Sequence, residues 1–318
     1  MSPRSFFLFG VSLLLLVACS SKESKEKLEE TYPIYKVTLE PEMVSILEGE
    51  SFQLSAGVFP SNNTDYTIEW KSNNTDIVVV DNNGLIKAIK AGDAIVSANV
   101  KPFEAHCSVS VKKHIPTTAV DIGLSAYWAE CNIGASKPEE FGDYYAWGEI
   151  VTKAVFTYDT YKWYLDGAYV IKYCPAEKTD YWGGEGDPDN LLVLEKEDDV
   201  ASVLLGGDWH IPTYEEVAEL INTQKDQTNY NWTWVDVNGQ YGWRVLYNKN
   251  GNSIFLPAAG FGGNDMYKNV FGAYWTSSLY DPYSAKALHF RDEGYGAYFN
   301  EGAIRYCGFS IRPVWPAQ

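Results

Sequence analysis

Three observations in the sequence predict an all-β sandwich followed by an α+β domain. From Ile34 to Lys113, short runs of alternating polarity are separated by turn clusters, the pattern of half-buried strands. From Ala119 onward the texture changes: aromatics and glycines rise sharply, and long loops interrupt the strands. Within that second region the stretch GGDWHIPTYEEVAELIN at 206–222 reads as a tight glycine turn, an aromatic and then a short, well-marked helix. Strands follow runs of helix and loop there rather than alternating with helices, which fits α+β better than a parallel α/β sheet.

Residues 1–18 read as a processing segment and not as fold. Arg4 gives a positive start, and the apolar run Phe6 to Val17 is shorter than the ~20 residues a spanning helix needs. It closes on Leu16-Val17-Ala18-Cys19, which resembles a bacterial lipobox. That resemblance implies removal of the signal and lipid attachment at Cys19, so that the chain meets the membrane by its N-terminal lipid only. Two or three acyl chains anchor durably, at ~0.8 kcal/mol per buried CH₂. Residues 19–33 form a flexible tether, since the polar, mixed-charge stretch Ser20 to Glu30 has nothing to bury. A Ser/Lys/Glu stretch directly after the lipid Cys is similar to the export signal of surface lipoproteins in Bacteroidetes-type bacteria. It implies an outer-membrane, surface-exposed location.

In the 34–113 sandwich, strands are expected at Ser51 to Val58, Thr67 to Lys71, Ile77 to Val80, Gly84 to Ile89, Ala94 to Val100 and Ala105 to Val111. Between them stand turn formers such as Ser72-Asn73-Asn74 and Asn82-Asn83-Gly84. In the last strand Ala105, Cys107, Val109 and Val111 share one face, so Cys107 is a buried small apolar residue. Trp70 reads as a core aromatic. Leu47-Glu48-Gly49-Glu50, Glu69-Trp70-Lys71-Ser72-Asn73-Asn74, Val80 to Ala88 and Lys90-Ala91-Gly92 closely resemble the bacterial Ig-like domain, group 2. The resemblance implies a seven-stranded sandwich that serves surface adhesins as a spacer, without catalysis.

Residues 114–118 are a Pro-containing joint, and 119–318 are the second domain. Val120 to Trp128 is expected to be its first strand. Phe141 to Glu149 is a compact aromatic turn, and Tyr181 to Asn190 a glycine-rich, acidic loop. Glu195 to Leu205 reads as a helix with acids in its first turns, capped by Gly206. In the next helix Thr213 is the N-cap, Glu216 completes a capping box, and Val217, Leu220 and Ile221 form the apolar face. Tyr241 to Tyr247 and Ser253 to Leu256 flank Asn248 to Asn252 as a hairpin. Further strands are expected at Ala273 to Ser277, Ala285 to Phe290 and Gly308 to Val314.

Several motifs in order, among them Gly142 to Glu149, Gly206 to Thr213, Gly251 to Gly260, Tyr274 to Ser278 and Gly308 to Val314, resemble the FISUMP (major paralogous) domain. That family is akin to C-type-lectin-like folds and to formylglycine-generating enzymes, so the resemblance implies a C-type-lectin-like head. Fold alone does not give function.

Catalytic signatures are sparse. The four histidines show no zinc-like spacing, and there is no GxSxG elbow or P-loop. Formylglycine-type chemistry needs a Cys pair near the C-terminal end, where Cys307 stands alone, so no enzyme is expected. His210 reads as structural, and Arg244 and Arg312 as pairing with buried carboxylates or backbone. One disulfide among Cys131, Cys174 and Cys307 is open, since the exported compartment permits it. No cofactor is expected, with one alternative: Glu185, Asp187, Asp189 and Asn190 offer hard oxygen ligands that suit Ca²⁺. The ring-stacking candidates are Trp147, Trp163, Tyr181 and Trp182, with Tyr161 beside them, all in loop-like context. A net charge of -17 argues against nucleic acid as partner. The order anchor, tether, sandwich, aromatic head predicts a non-enzymatic surface protein that binds an extracellular glycan or protein. The alternatives are a structural envelope or pilus-associated subunit, and an enzyme of the formylglycine-generating group.

Overall fold

The computed structural model describes residues 32–317 apart from 166–168, 184–187, 263–266, 293 and 295. The chain divides into two compact units between Lys113 and His114.

The first unit holds nine short strands: β1 (Lys36–Glu40), β2 (Met43–Leu47), β3 (Ser51–Gln53), β4 (Ser55–Phe59), β5 (Glu69–Ser72), β6 (Val78–Val80), β7 (Leu85–Ala88), β8 (Gly92–Val100) and β9 (Phe103–Lys112). They form sheets β2-β9-β8-β5, β3-β7-β6 and β1-β4. The resemblance implies seven strands. The number is higher because the chain breaks at Pro41, which has no N–H to give a ladder. Before that point β1 pairs with β4, and after it β2 runs parallel to β9. A second break falls at Leu54, whose N–H leaves the strand to bond Gly84 O at 3.0 Å. The core is the inward face of these strands. Cys107, Val109 and Val111 are buried, as the alternation requires, together with Leu54, Ile86 and Val96. Trp70 packs on that core but keeps an exposed edge.

The second unit begins with β10 (Ala119–Val120) and β11 (Ala126–Ala129). The single strand expected over Val120 to Trp128 is therefore two, folded back antiparallel around Asp121, whose Oδ1 accepts the Gly123 N–H at 2.7 Å. Next come β12 (Tyr164–Leu165), β13 (Tyr169–Val170), α1 (Val200–Leu205) and α2 (Tyr214–Asn222). The chain ends with β14 (Tyr230–Val237), β15 (Gln240–Tyr247), β16 (Ser253–Pro257), β17 (Gly272–Asp281), β18 (Ser284–Phe290), β19 (Ala297–Ile304) and β20 (Val314–Pro316). Sheets β10-β11-β20, β12-β13, β14-β15-β16 and β17-β18-β19 are all antiparallel.

The expected β15–β16 hairpin forms with Gly242 opposite Pro257 and Leu246 opposite Ser253. Strand β14, which sequence reasoning omitted, pairs along the other edge of β15. Gly308 to Val314 is not a continuous strand: Phe309 bridges Tyr145, Ser310 bridges Tyr274 and Val314 bridges His210, so the segment changes partner every few residues. The helix expected from Glu195 starts only at Val200, because Asp199 is its N-cap and Asp198 is held elsewhere by Lys162, Lys172 and Tyr173.

Two large apolar clusters fill this unit, beside a small one of Ala129, Trp209 and Trp315. One gathers Trp147, Tyr173, Ile211, Trp275 and Phe309, and the other Trp128, Leu220, Val245, Phe290 and Val314. Each contains a buried guanidinium. Arg305, fully buried, donates to Tyr161 Oη at 2.9 Å, Pro282 O at 2.7 Å and Lys172 O at 3.0 Å, and its charge lies 4.8 Å from the Trp147 ring centre. Arg312 donates to Asn132 Oδ1 and to the carbonyls of Ala129, Glu130 and Phe255, all within 3.0 Å. Its partners are thus backbone and an amide, as the sequence allows, whereas Arg244 is exposed on the outer face of β15.

Replacing Arg312 by Met should strand four acceptors in a dry core. We expect a loss of about 3 kcal/mol or more in unfolding free energy. Arg312→Lys should recover little, since an ammonium cannot reproduce a planar fork. Urea unfolding followed by tryptophan fluorescence reports on this unit, which holds every Trp except Trp70. A loss under about 1 kcal/mol would refute the assignment.

Candidate functional site

The local start signal at Thr213 does form. Thr213 Oγ1 accepts the Glu216 N–H at 3.2 Å, and Glu216 Oε2 accepts the Thr213 N–H at 2.8 Å. Val217 and Leu220 are buried beneath α2, with Ile221 half-buried beside them. The residues before the cap are tied to three other elements. His210 exchanges both backbone bonds with Val314, at 3.1 and 2.9 Å. Pro212 O accepts the Ser277 N–H at 2.9 Å, and Ser277 O accepts the Leu194 N–H at 2.9 Å. Asp199 joins the two helices: Oδ1 caps α1 through Ser202 N at 3.0 Å, and Oδ2 accepts Ile211 N at 2.8 Å. Ser202 Oγ donates to Trp209 O at 2.9 Å. Gly206 and Gly207 turn the chain between α1 and Trp209 with φ of 70° and 59°. A Cβ on Gly207 would stand 2.8 Å from the Trp315 ring, so only glycine fits there.

This scaffold leaves a cleft of about 500 Å³ lined by Leu194, Asp199, Trp209, His210, Ile211 and Ser277, with Lys196 and Asp208 also on its walls. Ser277 is only 3% exposed, and its Oγ has no hydrogen-bond partner among the described residues. Burial pushes the Asp199 carboxyl above its ordinary value, an effect that its backbone donors only partly offset. Burial pulls the His210 imidazole down, but the Glu216 carboxylate outweighs it and holds the ring above its ordinary value. Glu216 is held low in return, its own burial being outweighed by His210. His210 Nε2 lies 3.1 Å from both Glu216 oxygens, and Nδ1 lies 3.0 Å from Asp208 O. Both ring nitrogens face acceptors, so the protonated ring has a partner for each of its N–H groups.

The aromatic candidates are placed differently. Trp147 is a core residue, not a ligand platform: it is 1% exposed, and its indole N–H donates to Thr276 O at 2.8 Å. The loop-like sequence around it is pulled inward by Arg305 and by Tyr161, which is also buried and donates to Trp147 O. Trp163, Tyr181 and Trp182 are half-buried. Lys162 Nζ sits 3.9 Å from the Trp163 ring centre and Lys172 Nζ 5.3 Å, so cations occupy that ring's surroundings. Tyr181 packs edge-on to Tyr283. Trp182 bridges Val170 next to the β12–β13 pair, whose other flank is Trp163.

Of the calcium candidates, Asp189 gives its oxygens to the N–H groups of Tyr173, Cys174 and Leu191, and Asn190 Oδ1 accepts from Ala176 N. These oxygens hold a loop, and Asn190 has the left-handed φ of 55° that such a turn needs. Glu185, Asp187 and the lipid-attachment residue Cys19 lie outside the described residues. Cys107, Cys131, Cys174 and Cys307 are free thiols, made less acidic by burial. Sequence reasoning missed Ser277 and Asp199. Ser277 sits in Trp275-Thr276-Ser277-Ser278, where the only signal was a motif and not chemistry.

Residues 33–109 match the model of the bacterial Ig-like domain (group 2). The N-terminal unit contains a bacterial Ig-like domain. A 3-O-alpha-D-galactosyl-alpha-L-arabinofuranosidase of Bifidobacterium longum subsp. longum is 35% identical over 54 residues, which is 17% of this chain and 5% of that enzyme. Among solved structures, domains 4 and 5 of the S-layer protein SbsC align at 16% identity over 25% of this chain and 52% of theirs, with a TM-score of 0.22. Domains 5–6 of the same protein align at 12% identity over 86% of this chain and 98% of theirs, with a TM-score of 0.23.

The His210–Glu216 pair should give stability a pH window. Glu216, lowered from 4.5, contributes above that value and is lost as pH falls through its folded pKa. His210, raised from 6.5, contributes fully below that value and is lost as pH rises through its folded pKa. Glu216→Gln should therefore cost most between pH 4.5 and 6.5, about 1.5–3 kcal/mol, and less on either side. Melting temperatures of both proteins across pH check this, and a pH-independent gap would refute it.

Proposed function

We propose that this chain is a lipid-anchored protein of the outer membrane, facing outward, whose C-terminal head binds an extracellular glycan or protein without catalysis. The head is a C-type-lectin-like domain of the FISUMP type, and the Ig-like domain is its spacer. Cys19 carries the anchor, and residues 19–33 are the tether. The Ig-like domain supports the surface location, because modules of this kind stand in surface proteins as spacers.

One observation carries the binding reading. Ser277 lines the cleft beside His210, and its buried Oγ has no hydrogen-bond partner among the described residues. An orphan polar atom in a core costs stability, and a ligand that completes its hydrogen bond recovers that cost. Trp209 and Ile211 supply apolar wall, Lys196 supplies positive charge, and His210 presents a ring held by Glu216. The reading as a binder and not an enzyme rests on His210. With Glu216 and Asp208 O at its two nitrogens, the ring is turned toward those partners, and neither nitrogen bonds Ser277 Oγ as a general base would.

Ser277→Ala separates binding from folding. Removing the orphan hydroxyl should leave stability unchanged or raise it by up to about 1 kcal/mol. On arrays of immobilised glycans and envelope proteins, the same variant should lose about tenfold in apparent affinity. A stable variant that binds as the parent does would overturn the assignment of the cleft. For the anchor, metabolic labelling with palmitate should mark the parent and not Cys19→Ala, and lysine labelling should reach the protein on intact cells. Protection in intact cells would refute outward display.

A further inference from the structure

We infer that the Ig-like domain is itself a binding module: the cleft between its Asn82-Asn83 turn and the β4–β5 loop takes a neutral saccharide. This site is separate from the head and does not depend on the reading of the His210 cleft.

The cleft measures about 570 Å³, enough for one or two sugar rings. Trp70 and Tyr66 supply its aromatic surface, and Ser55, Thr67, Asn82 and Asn83 supply hydroxyls and carboxamides. None of these six side chains commits its polar atom to a hydrogen bond among the described residues. In a folded domain such groups are free to bond a ligand. No charged side chain lines the cleft, in a protein whose formal net charge is -17. That excludes recognition by ion pairing, and so disfavours phosphates, uronic acids and cationic peptides. Two aromatic rings beside neutral groups that both donate and accept match a ligand with apolar C–H faces and vicinal hydroxyls.

The site is also pre-organised. Gln53 Nε2 donates to Leu54 O and Asn83 O, each at 2.8 Å, tying the asparagine turn to the β3–β4 break. Asp81 Oδ1 accepts the N–H groups of Asn83 and Leu85 at 2.8 and 2.9 Å and fixes the turn from within. Gly84, at φ 81°, lets the Trp70 ring sit against the turn: a Cβ there would stand 2.4 Å from the indole. Rigid placement lowers the ordering cost of binding a small, weakly held ligand.

Saturation-transfer NMR on the full chain tests this, with methyl glycosides of glucose, galactose, mannose and arabinose as probes and glucuronate and N-acetylneuraminate as charged comparators. At least one neutral glycoside should receive saturation, and the charged sugars should not. Asn82→Ala/Asn83→Ala should weaken that binding by about tenfold with an unchanged melting temperature, the loss of two neutral hydrogen bonds. Tyr66→Ala, at an exposed position, should weaken it too and guards against a folding defect in the double variant. The Asn82→Ala/Asn83→Ala loss should be just as large in a Ser277→Ala background, so that any sugar held by the head does not mask it. No transfer to any neutral glycoside would overturn the proposal, as would binding at the parent's level by both the double variant and Tyr66→Ala. Loss of binding in Ser277→Ala alone would move the sugar to the head and overturn it as well.

Discussion

The carboxylate of Asp199 is the constraint on which the C-terminal unit's architecture turns. It is 4% exposed, and burial alone favours its neutral form. Its two oxygens bond Ser202 N and Ile211 N, so one side chain sets the start of α1 and the position of the strand-like residues before α2. The remaining connections follow from that placement. With Ile211 fixed, His210 meets Val314, Pro212 meets Ser277, and the Thr213 cap is presented at the correct point to begin α2. The cleft is the space left where these segments diverge, with Ser277 at its base.

A second constraint acts where loops are long. Arg305 and Arg312 have no carboxylate partner among their hydrogen bonds; carbonyl oxygens and neutral polar groups surround both. A guanidinium can satisfy several irregular backbone stretches at once, because five N–H groups diverge from one plane. This is how segments without regular ladders are packed beside Trp147 and Trp128 without leaving their carbonyls orphaned.

The parts of the fold that were legible in the sequence are those decided locally. The capping box at Thr213 and Glu216, the β15–β16 hairpin and the alternation that buries Cys107 each depend on neighbours a few residues apart. The misreadings arise where a distant partner overrides local preference. The acidic run before Val200 looks like a helix start, yet Asp198 is held by Lys162, Lys172 and Tyr173, and only Asp199 remains to cap. Trp147 sits among glycines and tyrosines that read as exposed loop, but a buried arginine 158 residues later in sequence lies over its ring. Asp189 and Asn190 have the composition of a cation loop, and their oxygens are occupied by backbone N–H groups that composition does not reveal.

The two clefts differ in a way that bears on how such a protein divides its work. The head's cleft combines a buried hydroxyl with His210, Lys196, Asp199 and Asp208, so it is suited to a ligand with polar groups at fixed positions. Its walls are held by long-range bonds, and its specificity is as rigid as the core beneath it. The Ig-like cleft is neutral and lined by side chains from a turn and a loop, so on the proposed reading it would tolerate variation in a ligand that keeps its apolar faces. If both clefts bind as proposed, two contacts on one chain would raise the local concentration of a polymeric ligand, a gain that depends on the reach between sites and not on new contacts. On the proposed reading, an Ig-like domain with its own modest affinity would be of more use than an inert one, because a ligand released by one unit would remain close to the other.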